Sequence, residues 1–380
     1  MDRNFMKKKR LILHIFGQME RAGAELRTID LMRNIDREQF QFHFCVLSGL
    51  PGELDNTIRS LGGQVHLINL YDICFPWRFL HLLRKYQFEI VYSHVHYPSG
   101  FLLWFAAITN VPKRITHFRN SSDGRGSDIW HRLERRILCH LIDRYSTHIL
   151  AVSKAAMAEA WKPNWTSDKR CQVIYNGIDL NQIKEINEQY DDVRKEFGIS
   201  QNANLYIHVG RLEAVKNHLR LLSIFTEIAA KDSTAHLLIV GRGNNAIEAK
   251  LRIQIQKAEL AQRVIFTYVR SDIPRLLNTA NMLIFPSFYE GLPGVVLEAT
   301  ACGLPVLASD LPITREIAAQ LPSVKYLPLS ATDEQWCLVA QQLCAQGFCS
   351  EARDAVTTTF ENSAFTMPAC VQAHYNIWQD

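Results

Sequence analysis

The strongest constraint on this chain is an alternation. Short apolar, β-prone runs at residues 10–16, 42–47, 65–68, 90–94, 114–117 and 148–152 are separated by stretches with helical spacing. Runs that are uniformly apolar read as strands buried on both faces, and their alternation with helices predicts a parallel sheet covered on both sides. A second series at 205–209, 237–240, 264–266, 282–285, 306–308 and 326–327 repeats the plan. Between the two series the pattern breaks, where Val173-Ile174-Tyr175-Asn176-Gly177-Ile178-Asp179 closes a strand in a turn. With 380 residues the chain exceeds a single typical core. The expectation is an α/β protein of two Rossmann-like, doubly wound parallel-sheet domains at 1–175 and 176–362. A last helical segment, 363–380, carries Phe365, Val371, Tyr375 and Trp378 and has no strand to accompany it.

Composition narrows the class. Nine scattered cysteines with no CxxC pair point to reduced thiols, not to a disulfide framework or a zinc site. The apolar run at 11–16 is too short for a signal-peptide core or a membrane span, so a cytoplasmic protein is expected, peripheral to a membrane at most. Residues 1–170 hold 25 Lys+Arg against 16 Asp+Glu, whereas residues 171–380 hold 17 against 22. A basic first half predicts an anionic partner there. No finger, recognition helix or basic motif interleaved with aromatics occurs, so nucleic acid is not expected. Two basic amphipathic segments, 77–86 with Arg78, Arg84 and Lys85, and 129–144 with Arg132, Arg135, Arg136 and Arg144, have the composition of helices that lie on an anionic bilayer. A core-facing surface helix has the same pattern.

Three loops at strand ends hold the candidate chemistry. The first, Gly17-Gln18-Met19-Glu20-Arg21-Ala22-Gly23, opens a helix but lacks the GxGxxG spacing of dinucleotide sites. The second, His208-Val209-Gly210-Arg211-Leu212-Glu213-Ala214-Val215-Lys216-Asn217, offers two cations able to clamp a diphosphate and stabilise it as a leaving group. The third follows the run at 282–285: Tyr289-Glu290-Gly291-Leu292-Pro293-Gly294-Val295-Val296-Leu297-Glu298-Ala299. It predicts strand, tight turn and helix start, with Pro293 in the first helical turn. Amides at a helix N-terminus suit phosphate, and the two glutamates can accept hydrogen bonds from sugar hydroxyls. The chain has no DxD triplet, so no metal is expected, and nothing calls for another cofactor.

Together these loops resemble the donor site of family 4 retaining glycosyltransferases of GT-B fold. Gly23-Ala24-Glu25, Thr116-His117-Phe118-Arg119-Asn120-Ser121, Ala151-Val152-Ser153, Asn176-Gly177-Ile178-Asp179, Phe285-Pro286-Ser287 and Ala301-Cys302-Gly303-Leu304-Pro305-Val306 are similar to further family signatures. The N-terminal third is most similar to the capsular and exopolysaccharide branch. The resemblance implies two Rossmann-like domains facing a cleft, with the terminal helix crossing back to the first. It implies that Arg211 and Lys216 hold the donor diphosphate and that Glu298 binds the ribose. Glu290, with Gly291, Leu292, Pro293, Gly294 and Val295, would hold sugar and phosphates, with Gly23 and Val269 completing the donor site. His117 would lie beside the donor sugar and join Arg211, Lys216 and Glu290 in catalysis. Gly17, Glu25, His94 and Arg119 would meet the acceptor.

The implied reaction is metal-independent, front-face transfer from a nucleotide-sugar, with UDP favoured, to a lipid-linked or polysaccharide acceptor. Departures from the pattern are Ala22 for a glycine, Gly294 for a larger residue, and a missing glycine within Phe266-Thr267-Tyr268-Val269-Arg270. A GT-B epimerase or phosphorylase is opposed by the Glu290/Glu298 spacing and by the lack of a lysine placed for pyridoxal. A non-catalytic partner subunit is opposed by the four intact charges.

Overall fold

A computed structural model describes residues 9–120, 128–188, 193–346 and 350–379. The basic residues 1–8 and Ser121 of the histidine-bearing loop lie outside the described residues. The chain forms two compact units, residues 1–177 with 367–380, and residues 178–366.

In the first unit seven strands, β1 (Arg10–Phe16), β2 (Phe40–Val46), β3 (Gln64–Leu67), β4 (Ile90–Ser93), β5 (Lys113–Phe118), β6 (His148–Ala151) and β7 (Cys171–Val173), pair in the order β3-β2-β1-β4-β5-β6-β7. All the pairings are parallel. Side chains alternate across the pleat, so neighbours in one strand enter different cores. Ile12, Phe42, Phe44 and Tyr92 pack with the helix Gly23–Asn34 and the terminal helix Met367–Gln379. Leu13, Ile15, Cys45 and Val91 pack on the opposite face with the helices Phe75–Tyr86 and Ser99–Ile108. The terminal helix is anchored through fully buried Trp378. Lys113 Nζ donates to the carbonyl of Ile377 at 2.6 Å and Arg10 donates to that of Trp378. Two cations thus meet the carbonyls at the helix C-terminus, where the dipole favours them.

The second unit has six strands, β8 (Leu205–Val209), β9 (His236–Val240), β10 (Val264–Tyr268), β11 (Met282–Phe285), β12 (Val306–Ser309) and β13 (Val324–Leu327), in the order β10-β9-β8-β11-β12-β13, again parallel. Three local features differ from the sequence reading. β10 runs on to Tyr268 through a register shift, and Tyr268 takes φ 57°, the left-handed conformation that the absent glycine would adopt freely. β13 starts at Val324, two residues earlier than expected, because exposed Lys325 interrupts the apolar run on an edge strand. Pro293 lies before the helix Gly294–Ala301 as its N-cap, in extended backbone at ψ 102°, and not in the first turn.

In each unit the strand order reverses about one pair, β1/β4 in the first and β8/β11 in the second. Open parallel sheets bind ligands outside the carboxyl ends of such a pair, where the flanking loops diverge.

Candidate functional site

At the β8/β11 switch point the second and third loops converge. Lys216 Nζ donates to Glu290 Oε1 at 2.6 Å and lies 5.1 Å from the ring centre of Phe285. Both side chains are less than one-fifth exposed. The backbone also ties the loops, with Phe288 N donating to the Val215 carbonyl at 2.8 Å. Arg211 behaves differently: it pairs with Glu213 of its own loop at 2.9 Å and stays 70% exposed, the more exposed of the two cations.

Glycine geometry holds the floor of this site. Gly241 has φ +134°, and a Cβ there would lie 2.1 Å from the Gly210 carbonyl oxygen. The turn after β9 therefore presses against the Gly210–Arg211 backbone at a distance only glycine permits. The helix Gly294–Ala301 begins immediately beyond the third loop, with Leu292 and Pro293 buried and Gly294 and Val295 half-buried. No side chain caps its N-terminus, where Val296 N donates to the Pro293 carbonyl at 3.1 Å. Glu298 is half-buried on that helix. Val269 is 70% exposed just past the left-handed Tyr268.

In the first unit Gly17 follows β1 and His94 follows β4, at the other switch point. A Cβ on Gly17 or Gly23 would meet nothing within 4 Å among the described residues. Ala22 sits at φ −119°, which any residue adopts, so this loop needs no glycine there. Glu25 is half-buried in the first turn of the helix that follows.

His94 and Arg119 belong to a buried polar chain. Arg119 Nε donates to His94 Nδ1 at 3.2 Å, and His94 Nε2 meets His14 Nδ1 at 3.0 Å. The same guanidinium donates to Asn176 Oδ1 at 2.8 Å and to Thr28 Oγ1 at 3.4 Å. Both ring nitrogens of His94 are thus engaged inside the protein. His117 is fully buried, with Nδ1 2.7 Å from the Tyr92 hydroxyl and Nε2 without a protein partner among the described residues. Burial, then the positive charge of Arg119, holds His117 and His94 well below the ordinary histidine range. Sequence reasoning missed His14, Tyr92 and His374 here. The signal was the one polar residue, His14, in the middle of an apolar strand.

Beside this chain a cavity of about 260 Å³ is lined by His94, His96, Tyr97, Arg119, Glu134 and Arg135, among others. Arg135 stacks its guanidinium 4.8 Å from the Tyr97 ring and so faces the protein. It therefore leaves the set of surface-facing arginines with which the sequence groups it. On the helix Ile129–Tyr145 only Ile142 is buried, whereas Ile129, Trp130, Leu133 and Ile137 are each more than half exposed, with Arg132, Arg136 and Arg144 also exposed. The helix Phe75–Tyr86 buries Phe75, Phe79, Leu82 and Leu83 and exposes Trp77.

Comparison with known proteins gives this geometry a family. The model of glycosyltransferase family 4 matches residues 21–182, and that of glycosyl transferases group 1 matches residues 189–322. A capsular polysaccharide biosynthesis glycosyltransferase of Staphylococcus aureus, CapH, is 33% identical over 309 residues, 80% of this chain and 83% of the relative. This chain is a family 4 glycosyltransferase. The enzyme is also 27% identical to the putative glycosyltransferase EpsF of Bacillus subtilis, over 97% of this chain and 96% of that one. Among solved structures, Anabaena HepE in complex with UDP superposes with a TM-score of 0.77 at 19% identity, covering 98% of the enzyme and 99% of HepE. WaaG, a lipopolysaccharide glycosyltransferase, gives 0.67 at 17% identity, with 97% and 99% covered. The fold of the enzyme is therefore GT-B. Among the described residues no helix is long and apolar enough to cross a membrane, and no group of three or more His, Cys, Asp or Glu is placed to hold a metal.

Proposed function

We propose that the enzyme transfers a sugar, with retention of configuration, from a UDP-sugar to a hydroxyl of a lipid-linked or polysaccharide acceptor. The observation that carries the donor assignment is the Lys216–Glu290 pair at the β8/β11 switch point, beside an uncapped helix N-terminus. Lys216, Arg211 and the helix amides hold the diphosphate and offset the charge that grows on it as it leaves. Glu298 accepts from the ribose hydroxyls and Glu290 from the sugar. This arrangement supplies positioning and electrostatics, and the proposed transfer uses no metal, cofactor or enzyme nucleophile.

UDP is favoured because structural neighbours include HepE bound to UDP and to UDP-glucose. A lipid-linked acceptor is favoured because relatives include an Escherichia coli galactosyltransferase named for a diphosphoundecaprenol substrate, 27% identical over 76% of this chain. In this proposal Gly17, Glu25 and Arg119 border the acceptor, with His94 positioning Arg119. The enzyme works at the cytoplasmic face of a membrane, which it meets through the apolar stripe and exposed arginines of the helix Ile129–Tyr145.

The reaction is tested by following product formation from UDP-[13C]glucose or UDP-N-acetylglucosamine and a prenyl-diphosphate-linked sugar, with chelator present. An α-linked product supports retention without metal. A β-linked product, or activity abolished by chelator and restored by a divalent ion, contradicts it.

A further inference from the structure

The helix Ile129–Tyr145 carries two chemistries on two faces. His131, Glu134, Arg135 and Leu138, spaced i, i+3, i+4 and i+7, share one face and line the cavity of about 260 Å³. His94 and Arg119, which directly follow β4 and β5, line it from the sheet. All of these residues belong to the first unit. Ile129, Trp130, Leu133 and Ile137 form the other face, and each is more than half exposed. Trp130 and Glu134, four residues apart, are neighbours where the two faces meet.

Two guanidiniums line the cavity, and both are held in place. Arg119 is half-buried and donates to His94 at 3.2 Å, to Asn176 at 2.8 Å and to Thr28 at 3.4 Å, all neutral partners. Burial, as the largest cause, lowers this guanidinium from its ordinary value, the sign of a cation short of solvent. An anion beside such a cation makes a strong, charge-assisted hydrogen bond. Arg135 rests 4.8 Å from the centre of the Tyr97 ring, so part of its freedom is lost before any ligand arrives. Among the described lining residues the one carboxylate is Glu134, which is exposed, and the two arginines outnumber it. At about 260 Å³ the space falls below the roughly 300 Å³ at which pockets for whole drug-sized ligands begin. It suits a headgroup.

We propose that this cavity is a subsite for the diphosphate of a prenyl-diphosphate-linked acceptor, whose hydrocarbon chain leaves along the exposed face of the same helix. The juxtaposition selects the ligand. A nucleotide or free phosphate makes no use of Ile129, Trp130, Leu133 and Ile137, and a bare hydrocarbon makes none of Arg119 and Arg135. That choice of ligand rests on the lipid-linked acceptor proposed above and adds Arg135 to the residues that meet it. It also gives a reason for Arg135 to turn inward while its helix neighbours Arg132 and Arg136 stay exposed.

The subsite is tested with geranyl diphosphate, a soluble prenyl diphosphate, titrated calorimetrically into the full-length enzyme without donor or bilayer. Arg135→Gln should weaken binding by about tenfold or more, the value of one hydrogen bond to a charged group. Arg135→Lys should restore it only in part, because an ammonium lacks the planar fork. The double variant Arg132→Gln, Arg136→Gln, altered on the outer face, should bind as the native enzyme does. Inorganic pyrophosphate should bind more weakly, for want of the chain. Unchanged affinity in Arg135→Gln overturns the proposal, and so does displacement of geranyl diphosphate by UDP, which would put it in the donor site. Equally tight, equally Arg135-dependent binding of dihexanoyl phosphatidylglycerol overturns it too, in favour of a bilayer headgroup. Donor is absent throughout, so these failures leave the transfer reading standing. Binding as expected, with no transfer to any prenyl-linked acceptor, would support the subsite and count against that reading alone.

Discussion

The Nζ of Lys216 and the Oε1 of Glu290 are 2.6 Å apart although 74 residues separate them in sequence. Each side chain is mostly buried, so neither charge is stable there without the other or a ligand group. Lys216→Ala is expected to cost about 1–3 kcal/mol of folding stability, below the range for a fully enclosed pair. Donor affinity should fall with it, and turnover should drop by about 10²–10³ through lost stabilisation of the leaving diphosphate. Chemical unfolding and donor titration check the two effects separately. Unchanged affinity would remove Lys216 from the donor site.

Two glycines should respond in opposite ways. Gly241→Ala places a Cβ against the Gly210 carbonyl at a positive φ and is expected to destabilise the fold by about 2–4 kcal/mol. Gly17→Ala meets nothing within 4 Å and should leave the melting temperature within about 1 °C, its stability effect being a few tenths of a kcal/mol. If Gly17 borders the acceptor, that variant nevertheless loses transfer. A stable, fully active Gly17→Ala would place the acceptor elsewhere.

The exposed stripe Ile129, Trp130, Leu133 and Ile137, with Arg132, Arg136 and Arg144, predicts binding to anionic vesicles. Replacing the three arginines by glutamine should weaken it by about 3 kcal/mol in all, roughly a hundredfold, and raising the salt should do the same to the native enzyme. Arg135→Gln should have little effect on vesicle binding, because its guanidinium is stacked on Tyr97. Vesicle sedimentation decides; equal losses from Arg135→Gln and the triple variant would count against this face.

Much of the fold is legible in the residues. A uniformly apolar run such as Met282–Phe285 is a strand because both faces are covered, and no polar residue interrupts it. The edge strand β13 is harder to read, since Lys325 faces solvent and breaks the run. The glycine missing before Val269 gives no warning that Tyr268 takes the left-handed conformation instead. Within the candidate site, the types Arg211, Lys216, Glu290 and Glu298 can be listed from the chain, but which cation pairs with which carboxylate depends on where β8 and β11 place their loops. The link from His117 through Tyr92 to His374 is less legible still. It joins three elements of ordinary composition, and 282 residues separate Tyr92 from His374.

Acid should destabilise the enzyme within a defined window. Burial, as the largest cause, holds His374 and His218 at about 4 in the folded state, while an unfolded histidine titrates near 6.5. Between those values the unfolded chain binds more protons than the folded one. The stability these groups contribute is therefore complete above pH 6.5 and declines as the pH falls to about 4, by up to about 1.4 kcal/mol per pH unit for each. Asp272, held at about 2 chiefly by Arg270, acts only below its ordinary carboxylate value and does not confuse the window. Urea unfolding at pH 7.5, 6.0 and 5.0 should give steadily lower free energies; a flat profile would contradict the neutral, buried assignment.

If the β8/β11 loops form a nucleotide-sugar site, a nucleotide-sugar should stabilise the enzyme against heat. The purified enzyme is heated with UDP-, GDP-, ADP- or dTDP-sugars, without metal. A UDP-sugar at a hundred times its dissociation constant should add about 2.7 kcal/mol of stability, and so raise the melting temperature by several degrees. That shift should vanish in Glu298→Ala. A shift with another nucleotide family alone would contradict the UDP assignment, and one that persists in Glu298→Ala would contradict the placement of the ribose. No shift with any of the four would contradict the site itself.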